Sequence, residues 1–142
     1  MQLNIRALRA SDRAGCAKLF LDVRRSAFYW LDGKQFHLDD FEAATVGEST
    51  WLAETDGKIV GFVSVYPAAN FVHHLFVEPA YQNMGVGAAL LRYTLERIGR
   101  PAELKCLAQN FRACAFYKRQ GWREVDRGAD ELGEYVRYRK RV

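Results

Sequence analysis

The stretch YQNMGVGAAL, residues 81–90, decides the fold, because it places two glycines one residue apart at the start of a predicted helix. The run FVHHLFV, Phe71–Val77, precedes it as a predicted strand, which Pro79 ends. From Val86 onward, apolar residues recur at helical spacing and predict a helix to about Gly99. A strand, a glycine loop and a helix therefore follow one another in the middle of the chain.

Gly85 and Gly87 at this position are typical of an anion site. The first turn of a helix presents N–H groups that have no partner within the helix, and the helix dipole adds positive charge there. Glycine removes the Cβ that would obstruct a phosphate, so a diphosphate is the natural ligand. Taken alone, the glycines fit equally well a loop that only turns and packs. Leu90 occupies the third glycine position of a Rossmann loop, and no Gly-Lys-Ser/Thr ending of a P-loop is present.

Outward from this centre, the sequence alternates between strands and helices. A strand, a helix and a second short helix near Leu38 come first, and a hairpin turning at Asp56-Gly57 follows them. Beyond the central helix, residues 102–108 predict a fifth strand, and a further helix is capped by Asn110. Two final strands complete this order.

Composition bounds the function classes. The chain has 142 residues, of which 49% are hydrophobic, so we expect a single domain over residues 1–142. No apolar run approaches the ~20 residues of a membrane span, and the start of the chain lacks a secretory signal, which predicts a cytoplasmic protein without a membrane role. Three cysteines without paired spacing argue against a disulfide framework or a zinc site. The net charge of +4 is scattered, which disfavours nucleic-acid binding.

Two motifs resemble those of one family, the GCN5-related N-acetyltransferases (GNAT). LFVEPAYQNMGVGAALL is similar to its central motif, an apolar strand, a Pro and Gln/Arg-x-x-Gly-x-Gly/Ala. NFRACAFYKRQGW resembles its later motif, Asn-x-x-Ala-x-x-Phe-Tyr-x-x-x-Gly-Phe, with Trp122 in place of the last Phe. The resemblance implies an α/β (α+β) fold of three layers. It has a mixed, mostly antiparallel sheet of six or seven strands and about four helices, and the sheet is splayed between strands 4 and 5.

The resemblance also implies an activity. The expected function is acetyl-CoA-dependent transfer of an acetyl group to a primary amine of a small molecule or a protein, by direct attack and with no metal. The alternative is a non-catalytic acyl-CoA sensor or partner-binding module on the same fold. An intact glycine loop, Tyr117 and His73 favour the enzyme. Homodimers are common in the family, and the sequence leaves the oligomeric state, the acceptor and the acyl-chain preference open.

The resemblance assigns a binding site for acetyl-CoA in three parts. Backbone amides of the glycine loop hold the pyrophosphate, amides of the fourth strand bind the pantetheine arm and polarise the carbonyl, and the later motif contributes side chains. The implied cofactor-binding residues, in that order, are Gln82, Asn83, Met84, Gly85, Val86, Gly87 and Ala88, then Leu75, Phe76 and Val77, then Asn110, Ala113, Phe116 and Tyr117.

Tyr117 is the implied general acid for the departing thiolate. It follows Asn110 by seven residues, so both side chains face the same way on a helix. A phenol with a pKa of ~10 can protonate a thiolate of comparable basicity. Packing of the ring in the core is the alternative interpretation.

His73 is the predicted general base. Strand alternation puts it on the face of Leu75 and Val77 and puts His74 on the opposite face. In relatives that use a base from this strand, the base sits four or six positions before the last apolar residue, which selects His73. His74, a water molecule or a carboxylate stays open as the base, and the residues in reserve are His37, Asp39, Asp40 and Glu42.

The resemblance places the substrate wall in the first two helices and their loop. Arg24 or Arg25 is expected to meet a carboxylate on the substrate. An aromatic pocket is expected from Phe28, Tyr29, Trp30, Phe36 and Phe41.

Overall fold

The computed structural model describes all residues from Met1 to Val142, and its centre is one sheet of seven strands. The strands and helices, in chain order, are β1 (Asn4–Ala7), α1 (Arg13–Ala27), α2 (Asp40–Thr45), β2 (Ser49–Thr55), β3 (Lys58–Tyr66), β4 (Phe71–Val77), α3 (Val86–Leu95), β5 (Ala102–Leu107), α4 (Phe111–Arg119), β6 (Arg123–Asp130) and β7 (Gly133–Lys140). The sheet order is β1-β2-β3-β4-β5-β7-β6. All neighbours are antiparallel except β4 and β5, so the predicted mixed sheet is confirmed.

Helices cover both faces of the sheet. On one face, Phe20 of α1 and Phe41 of α2 pack edge-to-face against Phe62 of β3, with ring centroids 5.9 Å and 5.4 Å away. On the other face, Leu90 and Leu91 of α3 are buried with apolar residues of the central strands. The predicted three-layer arrangement of helices, sheet and helices is therefore confirmed. None of the helices has both the length and the apolar character that a membrane span requires.

The β2–β3 hairpin turns where the sequence predicts it. Asp56 and Gly57 have φ angles of +51° and +74°, the left-handed conformation that a tight two-residue turn demands. β3 of this hairpin then pairs with β4 on its other edge.

β4 and β5 separate soon after they meet. They pair only through Phe71 with Glu103 and Val72 with Leu104. From His73 to Val77, β4 therefore has a strand neighbour on one side alone. This confirms the predicted splay and opens a gap, which we call the β4–β5 gap.

β4 carries a bulge opposite Ser64 and Val65 of β3. Ser64 pairs with His74 and Val65 pairs with Val72, so His73 has no partner residue on β3. The prediction that His73 and His74 lie on opposite faces is wrong, because the extra residue breaks the alternation and the two rings lie 3.8 Å apart.

α3 ends earlier than its apolar pattern predicts, at Leu95 instead of Gly99. The carbonyl of Thr94 accepts hydrogen bonds from the N–H groups of Arg97 and Ile98, which tightens the chain into a turn. The side chain of Asn70 then accepts the Gly99 N–H at 2.8 Å. That hydrogen bond draws the chain away from the helix axis toward the start of β5.

Candidate active site

The turn before α3 exposes backbone donors. Asn83 and Gly85 have φ angles of +64° and +85°, and this left-handed geometry lets the chain enter the helix sharply. The first bond within the helix runs from the Ala89 N–H to the Gly85 carbonyl at 3.0 Å. The N–H groups of residues 86–88 consequently have no partner within the helix and are available to an anion, so we call residues 82–88 the anion-binding turn.

Gly87 is needed here for its small size. A Cβ at this position would lie 3.3 Å from Cζ of Phe116 on α4 and 3.7 Å from Cγ2 of Val77 on β4. The side chain of Gln82 donates to the carbonyl of Val77 at 3.0 Å and ties the turn to the end of β4. Met84 is exposed. The turn thus lies where α3, α4 and β4 converge.

The backbone of β4 supplies donors to the β4–β5 gap. The Glu78 N–H donates to the carbonyl of Val60 on β3 at 2.8 Å. Because hydrogen-bonding direction alternates along an antiparallel strand, the Phe76 amide also faces β3, whereas the amides of Leu75 and Val77 face the gap. Of the three backbone amides predicted to bind the cofactor, that of Phe76 therefore points away from the gap. The Phe76 ring packs against Phe20.

Tyr117 is the buried residue of α4, the helix that follows β5. Asn110 caps this helix, because its side chain accepts the Ala113 N–H at 3.3 Å. The ring of Tyr117 packs 6.3 Å from Trp122 and 6.1 Å from Tyr138. Burial raises the pKa of Tyr117 above its ordinary value, so the phenol keeps its proton at neutral pH.

Two thiols lie beside Tyr117. The sulfur atoms of Cys106 and Cys114 are 3.7 Å apart, and both cysteines are free. Hydrogen bonding between them lowers the pKa of the Cys114 thiol and raises that of Cys106.

Glu48, in the connection between α2 and β2, is a residue that the sequence reasoning missed. Its side chain is only 9% exposed, and one oxygen accepts from the Ser64 hydroxyl at 2.6 Å. The other oxygen lies 2.5 Å from Nδ1 of His73. His73 itself is 36% exposed, so its imidazole joins a buried carboxylate to solvent. No sequence motif links the two residues, which are 25 positions apart.

His74 completes a cluster with His73 and Glu48. A ring nitrogen of each histidine and a carboxylate oxygen of Glu48 all lie within 4.8 Å of one another. Phe20 covers the His74 ring at a centroid distance of 5.1 Å. Burial lowers the pKa of His74 to about 3, and neighbouring His73 acts in the same direction. His74 is therefore a neutral ring and a poor base.

Comparison with known proteins identifies the family of this chain. Residues 17–122 match the model of the Acetyltransferase (GNAT) family. The chain belongs to this family. The match includes β4, the anion-binding turn, α3 and α4, which together surround the gap.

Individual relatives agree with this family. YiaC of Escherichia coli, named a peptidyl-lysine N-acetyltransferase, is 34% identical over 100 residues. That alignment covers 70% of this chain and 65% of YiaC, so the chain spans somewhat less than two thirds of the relative. An N-acetyltransferase of Archaeoglobus fulgidus without an assigned function is 36% identical over 94 residues, covering 57% of this chain and 64% of that protein.

Solved structures share the fold. The apo form of YjaB from Escherichia coli superposes with a TM-score of 0.83 at 20% identity, covering 98% of this chain and 97% of that one. PaiA N-acetyltransferase from Thermoplasma acidophilum, in complex with coenzyme A, gives 0.75 at 17% identity, covering 99% and 100%. At these identities the likeness concerns the fold alone.

The two arginines expected to meet a carboxylate of the substrate form contacts within the protein. Arg24 is buried, stacks on the ring of Phe20 at 3.7 Å and pairs with Asp40 at 3.2 Å. Arg25 donates to the backbone carbonyl of Gly33 at 3.0 Å and so holds the loop after α1. The prediction for Arg24 is wrong, because its hydrogen bonds and its burial are used within the protein.

The reserve carboxylates differ from Glu48 in their partners. Asp40 pairs with Arg24 at 3.2 Å, and Glu42 pairs with Arg13 at 3.1 Å. Glu48 has His73 and Ser64 as its partners instead of an arginine or lysine. His73 is therefore the only side chain in an ion pair with Glu48 that could balance its negative charge.

The predicted aromatic wall divides into core and surface. Phe28, Phe36 and Phe41 are buried, and Tyr29 is 73% exposed. Trp30 lines a cavity of about 330 Å³ between α4 and the β6–β7 turn. Trp30 is the only one of the five rings that lines this cavity.

Proposed function

We propose that residues 1–142 form one N-acetyltransferase domain, which transfers an acetyl group from acetyl-CoA to a primary amine by direct attack. The observation that carries this proposal is the β4–β5 gap. It combines free amides on β4, the anion-binding turn of α3 at one end and the pair of His73 and Glu48 where the strands part.

The gap fits acetyl-CoA, which supplies an activated thioester. The free N–H groups of residues 86–88 and the helix dipole suit its pyrophosphate, and the missing Cβ of Gly87 keeps the approach open. The amides of Leu75 and Val77 suit the pantetheine arm and the carbonyl oxygen, which gains negative charge during attack. The family resemblance adds Asn83, Met84, Asn110, Ala113 and Phe116 to the proposed site.

His73 serves as the general base in this proposal. An amine must lose a proton before its nitrogen can attack, and imidazole has a suitable pKa near ~6.5. Glu48 holds His73 at 2.5 Å and stabilises the imidazolium that forms. His74 is assigned no proton transfer, since burial keeps its pKa near 3.

Tyr117 serves as the general acid. As the new N–C bond forms and the C–S bond breaks, the phenol donates its proton to the sulfur and regains one from water. Burial raises the pKa of Tyr117, so the phenol keeps its proton at neutral pH and is a weaker acid than an exposed tyrosine. The proton taken by His73 leaves to solvent through the exposed side of its ring.

The acceptor we propose is the side-chain amine of lysine in a protein. YiaC, which is named for peptidyl-lysine, motivates this choice. The exposed edge of His73 also lets an amine arrive from the surface on a long flexible side chain. Localisation in the cytoplasm is proposed with it, because the three cysteines are free. A homodimer stays a prediction of the family resemblance.

The test mixes purified protein with acetyl-CoA and either lysine-containing peptides or free lysine. We expect release of free CoA together with a mass increase of one acetyl group on the peptide. A thermal melt with CoA, acetyl-CoA and NADH should show stabilisation by the two CoA forms only. Stabilisation without acetylation of any amine would favour the acyl-CoA sensor instead. The absence of both effects would refute the assignment of the gap.

A further inference from the structure

The cluster of Glu48, His73 and His74 contains a feature that proton transfer does not use. Nε2 of His74 is buried and has no hydrogen-bond partner. Leaving a buried polar atom unsatisfied is costly, so native proteins usually provide such an atom with a partner. A partner for this nitrogen either accepts its lone pair or donates a hydrogen bond to it. The nearby ligand atoms belong to His73 and Glu48.

We propose that Glu48, His73 and His74 bind one divalent transition-metal ion, with Zn²⁺ as the preferred ion. The donor set is two imidazole nitrogens and one carboxylate oxygen, which is typical of zinc sites that keep a fourth position open. The donor atoms lie within 4.8 Å of one another. Donors around a single Zn²⁺ lie roughly 3.3–3.5 Å apart. Binding therefore moves Nδ1 of His73 and the Glu48 oxygen apart from their present 2.5 Å, and it draws closer any pair of donors near the 4.8 Å limit.

The surroundings of the cluster match those of a metal site. Ser64 donates to the Glu48 oxygen that is not in contact with His73, which orients the carboxylate as outer-shell groups do. Phe20 packs edge-to-face against the His74 ring, with the ring centroids 5.1 Å apart. The bulge in β4 is what brings adjacent histidines to one place, because a regular strand would direct them to opposite faces.

The charges also favour a cation. Glu48 is nearly buried and forms no ion pair with an arginine or lysine, so a divalent ion supplies the missing positive charge. The sequence indicated no metal, since its cysteines lack zinc spacing. Nothing in the sequence marks a site assembled from the β2 connection and a bulged strand.

Metal binding and proton transfer exclude each other at His73, because both use a lone pair of the same ring. Zn²⁺ is therefore an inhibitor of acetyl transfer. Only this effect on turnover depends on the proposed function, since binding itself requires nothing but the three side chains.

The experiment measures Zn²⁺ binding to chelator-treated full-length protein by titration calorimetry, without acetyl-CoA. Wild type should bind one equivalent. His74→Gln and Glu48→Gln should each bind at least tenfold more weakly, and His37→Gln, which changes an exposed histidine outside the cluster, should bind like wild type. Thermal melts establish that each variant is folded, and His73→Gln provides a second test at a more exposed position.

Co²⁺ serves as a spectroscopic probe of the same site. Nitrogen and oxygen ligands give visible d–d bands without a thiolate charge-transfer band, whereas binding by Cys106 and Cys114 would produce that band. A thiolate band, no saturable Zn²⁺ binding or equal affinity in all variants would each overturn the metal site. Zn²⁺ binding in a protein that acetylates no amine would refute the proposed function and leave the metal site standing.

Discussion

The anion-binding turn and the Glu48–His73–His74 cluster lie at the two ends of one gap, yet they are built in opposite ways. The turn consists of consecutive residues 82–88 and acts through backbone N–H groups, so its chemistry depends on glycine φ angles and on the absence of a Cβ. The cluster joins residues 25 positions apart and acts through side chains. A backbone site is encoded locally, whereas a side-chain cluster depends on how strands and connections meet.

The difference predicts different failures. Changes in the turn should affect binding of acetyl-CoA, because in the proposed function the turn contacts the pyrophosphate, which does not react. Changes in the cluster and at Tyr117 should affect turnover and leave that binding intact. The variants below test this division, beginning with the largest expected effect.

Gly87→Glu should weaken acetyl-CoA binding at least 100-fold, or about 2.7 kcal/mol. The new side chain adds bulk 3.3 Å from Phe116 and a negative charge beside the helix amides. Calorimetry with acetyl-CoA measures the effect. Val125→Glu, which places the same charge on the exposed edge strand β6, is the control and should bind normally. Normal binding by Gly87→Glu would show that the turn holds no phosphate.

Tyr117→Phe should lower kcat about 100-fold while the KM for acetyl-CoA changes less than twofold, because only the proton donor is removed. Steady-state kinetics with a lysine peptide checks this split. Tyr138→Phe removes the hydroxyl of a neighbouring buried tyrosine and should keep kcat near wild type. Equal loss in both variants would mean that the phenols stabilise the fold instead of donating a proton.

Glu48→Gln should lower kcat about tenfold without weakening acetyl-CoA binding. The amide keeps a hydrogen bond to Ser64 but no longer stabilises a charged His73. The measurement compares kcat with acetyl-CoA affinity, and Glu48→Asp should recover part of the rate because it restores the charge. If Glu48→Asp were no better than Glu48→Gln, charge on this residue would not explain the effect.

Asp12 lies outside both regions and tests stability alone. Hydrogen bonds from Arg6 and from the Arg9 N–H lower the pKa of Asp12 to about 2, below its ordinary ~3.9 in the unfolded chain. Its stabilisation is therefore complete above pH ~4 and disappears as the pH falls toward ~2. Asp12→Asn should lower the free energy of unfolding by about 1–2 kcal/mol at pH 7, after allowance for solvent screening.

Denaturant melts at several pH values check this dependence. Asp12→Asn and wild type should converge only below pH ~2, where Asp12 becomes protonated in the folded chain as well as in the unfolded one. Asp22→Asn breaks an exposed pair with Lys18 and should change stability by less than about 0.5 kcal/mol at any pH. A difference between Asp12→Asn and wild type that stays undiminished between pH 7 and pH ~2 would assign the effect to packing.

Much of the fold was predictable because its signals are local. Asp56-Gly57 specified a hairpin, Asn110 capped α4, and the glycine loop marked the start of α3. The errors arose where a distant group intervened. Beyond the end of α3 at Leu95, the side chain of Asn70, 29 positions away in sequence, accepts the Gly99 N–H. Arg24 became a core residue because Asp40 and Phe20 surround it.

The sequence by itself determined the family, the order of the elements and the backbone anion site, since these depend on the conformational preferences of neighbouring residues. Only the tertiary structure decided which groups stand opposite that site. One unpaired residue in β4 turns His73 and His74 to the same side, and the connection after α2 brings Glu48 against them. Strand register and chain connection are set by the packing of the whole sheet, so no short segment encodes them.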